Sequence, residues 1–323
     1  MTGALLIDKP IGPTSHDIVA VVRRTLKVAR AGHTGTLDPL ATGLLIVLVG
    51  GATRLAQFVA ADEKEYVADV RLGLATPTYD AASLAESGDR RPEVGGWRSG
   101  GGKTAEEIEA VLGRFRGTFR QTPPPYSAKK IASVPAYEKA RKNQPVELQP
   151  VEVTVRELEV LPTSNLQSPT SNLPNDASLL RLRIAATAGF YVRSLAHDIG
   201  VALGCGAHLE ALRRTRAGRF RIEDALTLDR LETDAPARLV SPSALLGHMP
   251  AVTIDDEGAR RVAHGNAVRD QGTGIGERET GIGNQGSGTG NRGPVRVLDA
   301  GGRLLAVAER RPGGVLQPLV VLG

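Results

Sequence analysis

G-H-T-G-T-L-D-P-L-A-T-G-L, Gly32 to Leu44, leads directly into the apolar segment Leu44–Val49. It holds one carboxylate, Asp38, between Leu37 and Pro39, with His33 five residues upstream and Gly32, Gly35 and Gly43 around the two. Glycine tolerates φ > 0 and lets backbone approach a ligand closely. Pro39 fixes its own φ and biases Asp38 towards extended backbone. The pattern predicts a glycine-rich loop with one stiff point, Asp38, backed by a strand. It leaves two readings of Asp38 open. One is a catalytic carboxylate on a loop held by a rigid scaffold. The other is an ordinary turn, with Thr34 and Thr36 as local hydrogen-bonders.

Upstream, Ala4–Ile7 reads as a strand closed by a turn at Gly12 and Pro13. Thr14 or Ser15 then caps a helix to about Lys27, with Ile18, Val19, Val22 and Leu26 on one face. Downstream, a helix is predicted from about Thr53 to Ala60. A strand is predicted from Lys64 to Leu74, with Tyr66, Ala68, Val70 and Leu72 on one side. Residues 76–103 lose periodicity. Gly102, Lys103 and Thr104 end like a phosphate-binding loop, but its first glycine falls on Trp97 and no strand leads in, so that reading is rejected. Thr104 and Glu107 instead form a capping box for a helix to Leu112.

Residues 114–142 carry eight cations against one acid, Glu138, and contain the proline-stiffened loop Q-T-P-P-P-Y-S-A-K-K. Val146–Leu161 and Leu179–Thr187 read as strands flanking a T-S-N-L-repeating insert at 162–177. G-F-Y-V-R-S from Gly189 opens a helix ending near Gly204. A short helix is then predicted over Ala207–Arg214. Arg213, Arg214, Arg216, Arg219 and Arg221 crowd into nine residues. Beyond Met249 come a helix at Asp255–Ala263, a strand at Ala267–Arg269, a run with nine glycines at 271–293, and three short strands. This gives two domains, 1–247 with inserts near 83–103 and 162–177, and a small β-rich 248–323.

The chain of 323 residues has a net charge of +5 and a pI near 9.5. That balance, with its clustered cations, favours a polyanionic partner. The single cysteine, Cys205, excludes an intrachain disulfide and fits a reducing compartment. The N-terminus lacks a signal-peptide pattern and the longest apolar stretch is too short for a bilayer, so the expected location is the cytoplasm, with no membrane partner. Aromatics are only 3% of residues, yet Tyr66, Tyr126 and Tyr191 each lie beside basic or glycine-rich sequence. That placement suits stacking on bases, although an edge-of-core tyrosine meets the same description.

Several motifs occur together and in order. Lys9-Pro10 with Gly12 and Thr14-Ser15 precedes the Asp38 stretch. Then come Lys64-x-Tyr66, P-P-x-Y-S-A-x-K (Pro123–Lys130), G-F-Y-V-R-S-L-A-x-D-I-G and G-A-H-L-x-x-L-R-R. Together, from about residue 3 to 231, they resemble the TruB family of bacterial tRNA pseudouridine-55 synthases. The resemblance implies an α+β fold: a mixed, largely antiparallel sheet flanked by helices, with a small β-barrel-like, PUA-like C-terminal domain that binds RNA. It implies isomerisation of the T-loop uridine of tRNA by base flipping, with a possible tRNA-folding role beside it.

Isomerisation moves the ribose C1′ bond from N1 to C5 of uracil, with no electron transfer and no atom gained. The resemblance therefore implies no cofactor and no metal; its partner is the T-arm of tRNA, and no obligate protein partner is expected. It assigns the carboxylate to Asp38, its ion-pair partner to Arg193, and base stacking with proton transfer to Tyr66. His33 is implied to contact RNA near the flipped base, and Tyr191 and Leu212 to line the uridine pocket. Lys130 is implied, with Arg213 and Arg214 of the arginine cluster, to hold phosphates, and Lys9 and Pro10 to buttress the loop. The A-A-S after Asp80 departs from the family pattern and withholds a role from Asp80. Rival readings are a non-catalytic RNA-binding module, an Asp38–His33 hydrolase, and a guide-RNA-dependent synthase.

Overall fold

A computed structural model describes residues 1–60, 63–86, 103–126, 130–131, 134–135, 148–162, 179–270 and 293–322. The expected inserts at 83–103, 162–177 and 271–293 fall largely outside them, as does most of the Pro123–Lys142 stretch beyond Tyr126.

The strands before residue 250 are β1 (Gly3–Lys9), β2 (Ala31–Thr34), β3 (Ala41–Val49), β4 (Lys64–Leu72) and β5 (Gly117–Gln121). The two-residue pair β6 (Lys130–Ile131) and β7 (Val134–Pro135) comes next, then β8 (Val151–Val160), β9 (Leu179–Ala186), β10 (Ala207–Ala217) and β11 (Phe220–Arg221). Nine of them form one sheet in the order β1-β3-β10-β4-β9-β8-β5, with β2 on β3 and β11 on β10. Only β3 and β10 run parallel within it. The sheet is mixed and largely antiparallel, as expected.

β3 shows why the run Leu44–Val49 is apolar at every position. Leu45, Val47 and Val49 join the main core with Ile18 and Val22 of the helix Ser15–Thr25. Leu44, Ile46 and Leu48 face the other way, against Leu304, Val307 and Leu322 near the C-terminus. A strand covered on both faces has no position left for a polar residue. The helix starts at a capping box between Thr14 and Asp17, and a second box joins Thr104 to Glu107 before the helix Ala105–Leu112. Both were legible as caps.

Residues 207–214 correct the expected short helix. They belong to β10, which pairs with both β3 and β4. Register shifts between Leu209 and Ala211 and between Arg214 and Arg216 break its period of two. Leu209 and Leu212, three apart, then both face the core, and three-residue spacing is the mark of a helix. On the opposite face of the sheet, Asp69 of β4 and Arg181 of β9 make a buried two-bond ion pair at 2.5 and 2.7 Å. It opposes its charges only in the observed register, Asp69 against Arg181.

The C-terminal part is a curled sheet of β12 (Ala251–Thr253), β13 (Val268–Arg269), β14 (Val295–Leu298), β15 (Leu304–Arg311) and β16 (Val315–Val321). Their order is β12-β14-β15-β16-β13. β12, which pairs parallel to β14, was not visible in the sequence, where three residues give no period. Asp255 caps the helix Asp256–Ala263. No helix among the described residues is long and apolar enough to cross a membrane.

Candidate active site

Asp38 lies in the link between β2 and β3, so the stretch read as one loop is partly strand: His33 pairs with Val47 of β3. The link is fastened at four points. The buried Ser15 hydroxyl donates to Leu37 O at 2.9 Å and accepts from Leu37 N at 2.8 Å. Gly12 N donates to Pro39 O at 2.9 Å. Ala41 N donates to Asp38 O at 3.0 Å. Lys9, with no solvent exposure, donates to Ala41 O at 2.6 Å and to Pro39 O at 3.4 Å. Burial pushes its ammonium down to about pKa 8, with Asp38 opposing the shift. Lys9 therefore braces the link from behind rather than facing the cleft.

In front of the link is a cavity of about 410 Å³, lined among others by Asp38, Tyr66, Tyr191, Arg193, Leu212 and Arg214. Arg193 Nε lies 3.0 Å from Asp38 Oδ2, and Arg193 Nη2 donates to Asp38 Oδ1 at 3.4 Å. This is a two-point grip that fixes the carboxylate plane. The same guanidinium donates to Tyr126 O at 2.9 Å and Thr78 O at 3.2 Å, and lies 3.3 Å from Asp80 Oδ2. Asp80, which had no role on sequence grounds, is buried and fixed by Thr78 Oγ1 at 2.7 Å and Ala82 N at 3.1 Å. No local pattern announces its contact with Arg193, because the two lie more than a hundred residues apart.

Asp38 keeps 40% of its side chain exposed to the cleft while protein rings it closely. That burial raises its pKa above the usual carboxylate range; Arg193 pulls it back down, and Asp80 pushes it up again. Tyr66 is buried on β4, and burial raises its phenol, so the hydroxyl keeps its proton at rest. Its partner is Arg214, which hydrogen-bonds to it and whose own pKa burial lowers.

Arg214 corrects the expectation of a phosphate-holding surface arginine. It is 1% exposed, and its guanidinium donates to Leu44 O at 2.7 Å and Gly35 O at 3.0 Å. It lies beneath the pocket as part of the floor. Gly43, opposite it in register, has φ +97°, and a Cβ there would strike the Arg214 carbonyl oxygen. Arg213 points to the other face and pairs with Asp8 at 2.8 and 3.0 Å, keeping 43% exposure. Arg216 pairs with Glu63 at 2.8 Å. Two arginines of the run, Arg213 and Arg216, are thus paired with acids and Arg214 is buried against carbonyls, where the sequence suggested a free cationic face. The Lys130 side chain lies outside the described residues.

His33 is half-buried outside the cavity lining, edge-on to His16 at 5.3 Å between ring centres. Burial, then His16 and Arg214, lower its pKa. Tyr191 is the N-cap residue of the helix Val192–Leu203, with no side-chain capping bond to it. Its main chain is held instead by the buried Gln121 amide, which donates to Tyr191 O at 3.0 Å and accepts from Tyr191 N at 2.8 Å. Ser194 Oγ adds a bond to Thr122 O at 2.8 Å. Gln121→Ala strands Tyr191 N, while Tyr191 O still accepts from Leu195 N at 3.2 Å, and a stranded buried polar group costs about 1–3 kcal/mol. Urea denaturation should show a loss of about 1–3 kcal/mol by that reckoning; a change under about 0.5 kcal/mol, the usual range for surface substitutions, would mean that water replaces the clamp.

Known proteins resemble this chain in sequence and in fold. Residues 23–192 match the model for the TruB family pseudouridylate synthase N-terminal domain. Residues 193–240 match that for the tRNA pseudouridylate synthase B C-terminal domain. A tRNA pseudouridine synthase B of Solibacter usitatus (strain Ellin6076) is 44% identical over 82% of this chain and 85% of its own. The protein of that name from Thermobifida fusca (strain YX) is 39% identical over 99% and 98%. Among solved structures, a chain from a Cbf5-Nop10-Gar1 complex superposes with TM-score 0.67 at 26% identity, over 99% of this chain and 85% of that one. A chain from an H/ACA RNP bound to a substrate RNA containing 2′-deoxyuridine gives 0.65 at 25%, over the same shares.

Proposed function

The chain belongs to the TruB family of tRNA pseudouridine synthases, which are isomerases, and from that premise we propose that it isomerises the T-loop uridine at position 55 of tRNA. Asp38 is the reacting carboxylate, and neither cofactor nor guide RNA takes part. The observation that carries the reading is the Asp38–Arg193 pair at the floor of a cavity walled by Tyr66, Tyr191 and Leu212.

The reaction breaks the C1′–N1 bond and makes C1′–C5. A proton leaves C5 and N1 gains one, so atoms and electrons balance within the nucleotide. The base must first leave its stack, at a cost of a few kcal/mol that is smallest in a loop. Tyr66 gives the displaced ring a flat wall, and Tyr191 and Leu212 confine it. Asp38, ionised and oriented by Arg193, supplies negative charge where the sugar or the ring becomes electrophilic. Tyr66 serves the C5 proton step: Arg214 beside its hydroxyl lowers the cost of a transient phenolate. Residues 1–247 carry out the reaction. The PUA-like region 248–323, with Lys130, the exposed part of Arg213 and His33, holds the RNA.

A second reading comes from the structural neighbours, which are named as parts of assemblies with other proteins or RNA. Similarity over nearly the full length, at 39% identity, to a protein named for tRNA favours the stand-alone reading. The test uses purified protein and an unmodified tRNA transcript alone, with carbodiimide mapping of pseudouridine. One new stop, in the T-loop, is the expected result. A stop that appears only when a guide RNA is supplied would transfer the protein to the second reading.

A further inference from the structure

We propose that Tyr79 and His197 form an aromatic clamp that positions Asp80, and through it the Arg193–Asp38 pair; this rests on the reading of Asp38 as the reacting carboxylate. Tyr79 closes the turn that begins at Thr76, its N donating to Thr76 O at 3.2 Å. Its φ is +65°, the left-handed region that glycine and, less readily, asparagine occupy without strain. The backbone calls for glycine and the sequence supplies a tyrosine, so the ring has to offset the strain. The ring lies face to face with His197, at 3.9 Å between centres and 10° between planes.

The placement of that stack connects it to the site. His197 lies four residues after Arg193 on the helix Val192–Leu203, so both side chains leave the same face, one turn apart. Arg193 Nη1 grips the turn on both sides of Tyr79, at Thr78 O (3.2 Å) and Asp80 Oδ2 (3.3 Å). Tyr79 itself is hooked to β10, accepting from Leu209 N at 3.0 Å, while Ala81 N donates to Leu209 O at 2.9 Å. The turn is thus held to the sheet by its main chain and to the helix by Arg193 and the ring stack. Polar atoms do not explain the stack: His197 Nδ1 is buried with no hydrogen-bond partner among the described residues. Burial lowers the pKa of the imidazole, so it is neutral against the tyrosine. Without the clamp, Arg193 alone among the described residues hydrogen-bonds the turn to the helix, and Arg193 is the group that must stay fixed on Asp38.

Tyr79→Gly separates positioning from folding, because it removes the ring and relieves the backbone. Per folded enzyme, kcat on tRNA should fall at least tenfold, with KM within about twofold and Tm unchanged or higher. The acid limb of the pH–rate profile should move to higher pH as Arg193 loosens from Asp38. His197→Leu should reproduce the loss of kcat, whereas Tyr79→Phe and His197→Phe, which keep a flat ring in place, should restore it. Unchanged kcat and pH profile in Tyr79→Gly and His197→Leu would reduce the stack to packing. A raised KM with intact kcat would make Tyr79 an RNA contact and overturn the clamp. Asp38→Asn in the same series tells the two levels apart: turnover there would sink the proposed function itself, whereas an inactive Asp38→Asn beside an active Tyr79→Gly would sink only this inference.

Discussion

Asp38→Asn is expected to lower single-turnover isomerisation of tRNA by at least about 10⁴-fold, roughly 5.5 kcal/mol of barrier at 1.36 per tenfold. tRNA affinity should stay within about tenfold, some 1.4 kcal/mol, because asparagine keeps the shape and loses only the charge. The fold should be as stable as wild type at neutral pH, or more so. The Asp38 pKa is raised above the ordinary aspartate value, burial being the largest cause. A group raised in this way contributes stability that is fully present below the unfolded value and is lost as pH rises through the folded one. At pH 7 the ionised carboxylate therefore weighs against the fold, and asparagine carries no such charge. Arg193 is not stranded, since Asp80, Thr78 O and Tyr126 O still accept from it. Melting curves from acid to neutral pH should show the variant gaining on wild type as pH rises. Turnover within tenfold of wild type would remove Asp38 from the mechanism, and a large loss of Tm at pH 7 would make it a structural residue.

Legibility in the sequence tracked the range of the interaction. The helix caps and β3 depend on residues within a few positions of one another and were readable; the turn at Asp38 was readable too, but not its strand β2 or the bonds from Lys9, Gly12 and Ser15 that fasten it. Arg193 as the partner of Asp38 was readable only through the resemblance; nothing in G-F-Y-V-R-S points 155 residues upstream. Three of the features that stayed hidden bear on the site. β10 passed for a helix because its bulges convert a period of two into three. Arg214 passed for a surface cation because a run of arginines is usually solvated, yet its side chain is the one that packs under the link. The role of Asp80 was left in doubt because the A-A-S after it departs from the family pattern, while its contact with Arg193 depends on a turn closed by Tyr79. Each omission is a tertiary contact overriding a correct local prior.

The same geometry explains why so many bonds converge near Arg193. A carboxylate that has to react must be ionised, desolvated and fixed, and the first two conflict. A guanidinium with a planar fork reconciles them, and its own burial then requires acceptors. Asp80, Thr78 O and Tyr126 O supply these from two separate segments. Any segment that shifts therefore moves the charge that holds Asp38.

Arg193→Met carries the second large effect, in two separable parts. The first is stability: Asp80 is 6% exposed and would lose the cation that lies 3.3 Å from it. Breaking a buried pair from one side costs about 3–5 kcal/mol, which urea denaturation would register. The second is rate. Arg193 is the strongest influence holding the Asp38 pKa down, so its loss raises that pKa further and leaves the carboxylate unoriented. The expected fall in kcat is about 10²–10³-fold, roughly 2.7–4 kcal/mol, and larger in the acid range than at pH 8, where more of the carboxylate remains ionised. Asp80→Asn added to Arg193→Met removes the stranded charge, so the double variant should regain most of the stability and none of the rate. That non-additivity in one property and not the other is what a double-mutant cycle resolves. Recovery of both would mean that Arg193 serves the fold alone. A rate loss independent of pH would mean that it orients Asp38 without governing its ionisation.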